Sequence, residues 1–332
     1  MNNLLDPSLF AAYISHVFMV HLLHTSCTRV FCIHPLHDAA DSPCGLSPAA
    51  LHRSAPVPPA EPFMAIHALA VVDPKAEIHE DATVGPFSVV GAGVTLGPHV
   101  ELRNHATVYG RSVIGEGTII YPGAVVGSDP QDLKFRGEDS CVLVGKHCHI
   151  HECVTISKGT AGGGMETVIG DHALIMAYAH IAHDCRLAER VVIGNSAQLA
   201  GHVVVERKAI VSGLVGVHHF VTIGELAFIG AMSGVRQDVP PYLMAEGVPT
   251  EPRGVNLVGL RRDGWSDEDI QAAKDMYRRL YKDRGGQPLA RIVEDIEASP
   301  ASSLKPVRRL CAWMKDNLVH AIKGRVLEAS RH

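Results

Sequence analysis

The sequence predicts a parallel β-helix built from six-residue turns, followed by a small α-helical domain. Three observations carry this. An aliphatic residue recurs every six positions between Ile78 and Val235. That period fits neither a 3.6-residue helix nor the two-residue alternation of a flat strand, but it does fit hexapeptide coils. The recurrence stops near Val239-Pro240-Pro241, where prolines remove ladder donors. From Ser266 onward the apolar residues fall instead on a helical stripe.

Composition agrees with this class. The 332 residues suffice for one large or two modest domains. Thirty-one glycines and 5% aromatics suit short strands and tight turns better than a thick aromatic core. A formal charge of −5 offers no basic field to nucleic acid. The cysteines (Cys27, Cys32, Cys44, Cys141, Cys148, Cys153, Cys185 and Cys311) form no C-x-x-C pair, and reduced thiols in a cytoplasmic protein are expected.

Residues 1–63 differ from the rest. Their apolar run, Leu9 to Leu23, is broken by His16 and His21. It falls short of the roughly 20 apolar residues of a membrane span, and no Lys or Arg precedes it as in a signal peptide. Cys32, His34 and His37 lack the ligand spacing of a metal site. SAPVPPAEPF reads as an unstructured linker. Met64 then opens the regular pattern and is expected to be the native start. Three segments result: an extension at 1–63, expected to be disordered or non-native, a β-helix at 64–254 and an α-helical domain at 255–332.

The repeat runs Ile78, Val84, Val90, Leu96, Leu102, Val108, Ile114, Ile120, Val126, resumes at Val144, Ile150, Ile156, and continues from Ile169 to Val235. Small or β-branched residues such as Ala82, Ser88 and Ala106 follow four positions later, and Gly often comes directly after, as at Gly85 and Gly91. Three hexads close one triangular coil, so residues eighteen apart stack about 4.8 Å apart. One coil cannot bury its own face, so stability must come from stacking. Two excursions, Gly127 to Ser140 and Gly159 to Thr167, leave the ladder. Loops on a rigid scaffold are where sites and subunit contacts are expected.

The register places the chemistry. In AHIAHDC, Ala179 to Cys185, His183 follows Ile181 by two positions and Asp184 adjoins it. Eighteen residues on stands Gly201, and eighteen further His219; Asp184, His202 and Phe220 form the neighbouring column. A histidine beside a carboxylate is the simplest general base at neutral pH. Gly201 above His183 would leave a notch with an exposed N–H, which acyl transfer can use for an oxyanion. Two other readings stand beside this one: polar corner positions without a function, and a metal site of His180, His183 and His202.

The C-terminal part reads as helices. Ser266 with Asp269 resembles an N-terminal cap, and Ile270, Ala273, Met276, Tyr277, Leu280 and Tyr281 form a stripe ended by Gly285-Gly286. Two further helices are expected at about Leu289 to Ala298 and Ser303 to Lys323. Arg261, Arg262, Lys274, Arg278, Arg279, Lys282 and Arg284 make its start basic.

These motifs together resemble the UDP-N-acetylglucosamine O-acyltransferase family. The resemblance rests on QDLK (Gln131 to Lys134), HECVTISKGT (His151 to Thr160), GGG (Gly162 to Gly164), AHIAHDC, LAGHV (Leu199 to Val203), SGVRQDVPPY (Ser233 to Tyr242) and GVNLVGLRR (Gly254 to Arg262), in family order. It implies a cytoplasmic homotrimer of left-handed β-helices, each with a helical C-terminal domain, and active sites between subunits. It implies transfer of a (R)-3-hydroxyacyl group from acyl carrier protein to the glucosamine 3-hydroxyl of UDP-N-acetylglucosamine, the first step of lipid A biosynthesis. His183 would be the general base, Asp184 its orienting partner and Gly201 the oxyanion donor. His180 and His202 would contact substrate. Asp132 and Lys134 would hold the sugar nucleotide across the interface, and Gln131 would meet the acyl hydroxyl. His218, Asn256 and Arg262 would serve nucleotide or donor binding. Ala231 falls at the acyl-length ruler, and its one methyl more than glycine implies a chain shorter than the longest accepted in the family. No metal, organic cofactor, nucleic acid or stable membrane insertion is implied. The sequence departs from the family at His219, where Gln is common, at Val258, often acidic, and at Asp263, often basic; each is expected on the donor or nucleotide side. A related amino-sugar acceptor and a zinc-dependent, carbonic-anhydrase-like trimer are the alternatives.

Overall fold

The computed structural model describes residues 65–320. The readings of residues 1–63 therefore lie outside the described residues, as does the end of the last expected helix. Most strands are two residues long, and each coil gives one strand to each of three parallel sheets. Among the described residues the first sheet has nine strands, from Val71–Val72 to Gly234–Val235. The second has eight, from Glu77–Ile78 to Thr222–Ile223. The third has ten, beginning at Thr83–Val84.

Pairing follows the expected eighteen-residue step, as in Val71↔Val89 and His180↔Gln198. The last residue of nearly every strand points inward, and the stacked columns of Ile150, Ile175, Ile193 and Val211 in the third sheet and of Ile181 and Leu199 in the first are fully buried. Corners are turned by residues in the left-handed region, among them Tyr178 (φ 63°), Asp184 (φ 61°), His202 (φ 63°) and Phe220 (φ 64°). That conformation costs a non-glycine residue roughly 1–2 kcal/mol, a cost that each stacked coil offsets by apolar burial.

Both excursions leave the ladder and return to it in register. Val125 pairs with Thr107 below and Thr155 above, and Thr155 pairs with His180. The inserted residues are extruded from a corner, so the core column passes them undisturbed.

The ladder does not end at Pro240-Pro241 as expected. Leu243–Glu246 adds to the third sheet parallel to Phe228–Ile229, and Glu251–Val255 closes it antiparallel. Both prolines precede the strand, at a corner whose N–H groups the ladder does not need. Leu243 and Ala245 are buried while Met244 and Glu246 are exposed, the alternation of a sheet with one covered face.

Among the described residues four α-helices follow: α1 (Leu257–Arg262), α2 (Asp267–Tyr277), α3 (Leu289–Glu297) and α4 (Lys305–His320). Ser266 caps α2 as expected, its Oγ accepting from the Asp269 N–H at 3.1 Å. The stripe continues beyond α2 in a π-helical turn, Arg278–Lys282. A second core joins Ile270, Met276, Leu280, Ile292, Leu310 and Trp313 to Leu226, Tyr242 and Leu243 of the last coils. The helices thus pack on the end of the β-helix.

Candidate active site

The corner at Asp184 builds the site. Its left-handed turn brings two adjacent side chains to the same side, and the His183 Nδ1 lies 2.7 Å from the Asp184 Oδ2. The second excursion folds over this carboxylate. The Thr160 N–H donates to Oδ1 at 2.9 Å and the Thr160 hydroxyl to Oδ2 at 2.6 Å. The Asp184 N–H in turn donates to the Thr167 Oγ1 at 2.9 Å. A Cβ on Gly163 would overlap the Asp184 carboxylate, so only glycine lets the backbone pass there. Burial pushes the Asp184 carboxyl up, but the bonds from His183 and Thr160 outweigh it and hold it below the ordinary carboxylate value. An ionised, fully satisfied carboxylate on Nδ1 assigns the proton to that nitrogen and leaves Nε2 as the acceptor.

Above the ring lies the expected notch. A Cβ on Gly201 would stand 2.5 Å from the His183 Cε1 and 2.7 Å from Nε2, closer than any side chain can sit. His202 in the next coil meets His183 edge-on, with centroids 5.2 Å apart, and stacks on Phe220 at 4.3 Å and 7°. Both columns read from the register are therefore present. His180, one coil side away, lies with its Nδ1 2.7 Å from the Thr155 Oγ1. Burial, reinforced by His183, lowers its basicity, so it is neutral and available as a hydrogen-bonding group.

The first excursion reaches the same place within one chain. Asp132 Oδ2 stands 3.9 Å from His183 Nε2, too long for a hydrogen bond. Asp132 Oδ1 also accepts from the Lys134 N–H at 2.9 Å. Gln131 and the Lys134 side chain are exposed beside it, and Ala231 and Arg262 are exposed elsewhere. His218 is half-buried, its Nδ1 3.3 Å from the His219 carbonyl. Asn256 has a structural position: it caps α1, accepting from the Gly259 N–H at 2.9 Å and donating to the Leu226 carbonyl at 2.8 Å. Asp263, expected on the donor or nucleotide side, turns instead to the β-helix. Its carboxylate binds Arg207, Lys208 and the Trp265 indole. Val258 is exposed on α1.

Sequence reasoning missed Thr160, Thr167 and Gly163 as partners of Asp184, although Thr160 and Gly163 sit in quoted motifs. The eighteen-residue rule cannot place them, because the excursion breaks it. Among the described residues, the grouping able to ligate a metal is His183, Asp184 and His202, with ligand atoms within 4.8 Å of one another. The Asp184 carboxylate there already serves three hydrogen bonds. Concavities of about 410 and 510 Å³ lie along Arg207, Glu225 and Arg309 at the helical domain, and His183 lines neither.

The chain is similar to known proteins over most of the described residues. The family described as "Udp N-acetylglucosamine O-acyltransferase; Domain 2" matches residues 238–318, and the bacterial transferase hexapeptide matches 75–110 and 166–201. An acyl-[acyl-carrier-protein]--UDP-N-acetylglucosamine O-acyltransferase of Alkalilimnicola ehrlichii is 54% identical over 64% of this chain and 83% of its own length. A like-named protein of Synechocystis is 47% identical over 55% of this chain. The match spans 65% of the Synechocystis protein's length and 64% of its Gloeothece citriformis counterpart's. Among solved structures, a UDP-N-acetylglucosamine acyltransferase from Bacteroides fragilis superposes with a TM-score of 0.72 at 34% identity, covering 75% of this chain and 96% of that one. One from Acinetobacter baumannii gives a TM-score of 0.73 at 34% identity, covering 78% and 98%. The coil is left-handed, as in these structures. The chain belongs to the UDP-N-acetylglucosamine O-acyltransferase family, left-handed hexapeptide-repeat acyltransferases with a helical C-terminal domain.

Proposed function

We propose that the protein transfers a (R)-3-hydroxyacyl group from acyl carrier protein to the glucosamine 3-hydroxyl of UDP-N-acetylglucosamine, the first step of lipid A biosynthesis. The observation that carries this reading is the setting of His183: Nδ1 is tied to a buried carboxylate, and Nε2 is open beneath Gly201 and faces Asp132. His183 Nε2 takes the proton of the sugar 3-hydroxyl as that oxygen attacks the thioester carbonyl. Asp184 keeps the proton on Nδ1 and stabilises the imidazolium that forms. The Gly201 N–H donates to the oxyanion of the tetrahedral intermediate. Collapse breaks the C–S bond, and His183 returns its proton to the thiolate.

The remaining roles are part of the same proposal. Asp132 and Lys134 hold the sugar nucleotide, Gln131 meets the acyl hydroxyl, and His180 and His202 contact substrate. His218, Asn256 and Arg262 serve the nucleotide or donor; for Asn256 this role is positional, through the start of α1. Ala231 limits the acyl chain. The working unit is a homotrimer in the cytoplasm with sites between subunits. Among the described residues no helix is long and apolar enough to cross a membrane.

The test uses purified protein, UDP-N-acetylglucosamine and a ladder of (R)-3-hydroxyacyl carrier proteins, with the acylated sugar read by mass spectrometry. Product from a narrow range of donors is expected, at lengths short of the family maximum, moving up in Ala231→Gly. His183→Ala should lower kcat about 10²–10⁴-fold with the trimer intact. No product from any donor, from a correctly assembled trimer, overturns the reading.

A further inference from the structure

The first excursion carries Asp132 to the catalytic histidine, yet it is largely solvent-exposed; Leu133 at its tip is 96% exposed. Something must hold it. Its internal bonds, Phe135 N–H to the Asp132 carbonyl and Lys134 N–H to the Asp132 carboxylate, shape the tip but do not anchor it. Arg111 ties its far end through Asp139 at 3.1 Å, and the grip around the tip comes from Lys158, directly before the second excursion. The Lys158 side chain is only 15% exposed, and its Nζ lies 2.9 Å from the Asp129 Oδ1. The same ammonium stands 5.1 Å from the centre of the Phe135 ring, within cation–π range. Asp129 and Phe135 bracket Gln131 to Lys134, so one cation grips the loop on both sides of its substrate-facing residues. The Lys158 N–H also donates to the Ser128 carbonyl at 3.0 Å, fixing the base of the loop.

Two residues after Lys158 comes Thr160, which holds Asp184. The segment 158–160 therefore governs both carboxylates around His183: Asp184 on Nδ1 through Thr160, and Asp132 opposite Nε2 through Lys158. We propose that Lys158 is a positioning residue of the acyltransferase, setting Asp132 against His183 by gripping Asp129 and Phe135. This rests on the function proposed above and assigns a residue to the sugar-nucleotide side of that site.

The experiment compares the wild-type full chain with Lys158→Met and Lys158→Arg, and Asp132→Ala with Asp132→Ala/Lys158→Met. Lys158→Met keeps the chain length and removes the cation. The expected result is a kcat/KM for UDP-N-acetylglucosamine lower by about 10–100-fold, the scale of a misplaced contact group, with a smaller rise in KM for the acyl carrier protein donor, felt through Gln131. Lys158→Arg should recover most of the loss. In the Asp132→Ala background, Lys158→Met should cost little more, because the group it positions is gone. A loss that adds in full to Asp132→Ala, or one that falls equally on the donor KM, overturns the proposal. Hydrogen exchange of residues 129–136 separates this from the activity itself: faster exchange in Lys158→Met is expected even if wild type proves to use another acceptor. Unchanged exchange would refute the grip whatever the reaction.

Discussion

The proposed role of His183 as general base rests on its neighbours. The adjacent residue supplies the carboxylate, a residue one coil up supplies the open N–H, and an extruded loop supplies the bonds that keep the carboxylate ionised. The Thr160 hydroxyl is the shortest of those bonds at 2.6 Å. Thr160→Val removes it at nearly constant volume, and a hydrogen bond to a charged group contributes about 1.5–3 kcal/mol. The Asp184 carboxyl should rise toward its ordinary value, and kcat should fall about 10-fold or more while the fold is retained. Sign and window follow from the depressed folded value: the carboxylate's stabilisation is full above 3.8 and is lost as pH falls below it. Thr160→Val should therefore narrow that loss, read as a smaller drop in Tm between neutral and acid pH than in wild type.

At the scale of elements, the junction between β-helix and helices depends on Asp263. It ends α1 and joins Arg207 and Lys208 of the β-helix to Trp265. Burial pushes its carboxyl up, but Arg207, Lys208 and Trp265 hold it down to about 2. A folded value below the ordinary 3.8 means that its stabilisation is fully present above about pH 4 and is lost as pH falls through about 2. Asp263→Asn should lower Tm by a constant amount above pH 4, with the gap closing below it. It should also raise hydrogen exchange in α1 and α2 before the β-helix is affected. The β-helix itself answers to its column: Ile193 is fully buried, and Ile193→Ala should cost about 2–5 kcal/mol in a chemical denaturation curve.

For the whole molecule, exposed cations in the helical domain bear on how the donor docks. Arg261, Arg262, Arg278, Arg279, Lys282 and Arg284 are each exposed in the first part of the helical domain. Acyl carrier proteins are acidic, and a charge-steered encounter weakens as salt screens it. Raising ionic strength should raise KM for the carrier-linked donor and leave KM for a small acyl thioester unchanged. Equal salt responses for the two donors would show that these cations take no part in docking.

What the linear chain determined by itself was periodic. Six-residue spacing from Ile78 to Val235 was enough to place the inward aliphatic residues of the repeat, and the eighteen-residue step aligned Gly201 over His183 and His202 beside Phe220. A repeat makes distance in sequence equivalent to distance in space, so the site's columns were legible wherever the repeat was unbroken. The tertiary structure alone decided what the excursions do. Thr160 on Asp184, Asp132 opposite His183 and Lys158 across Asp129 and Phe135 all depend on where extruded chain returns. No period encodes that path. Asp263 illustrates the same limit from the other side: its ion partners lie more than fifty residues back, at Arg207 and Lys208. Only the docking of the helices on the last coils brings those charges together.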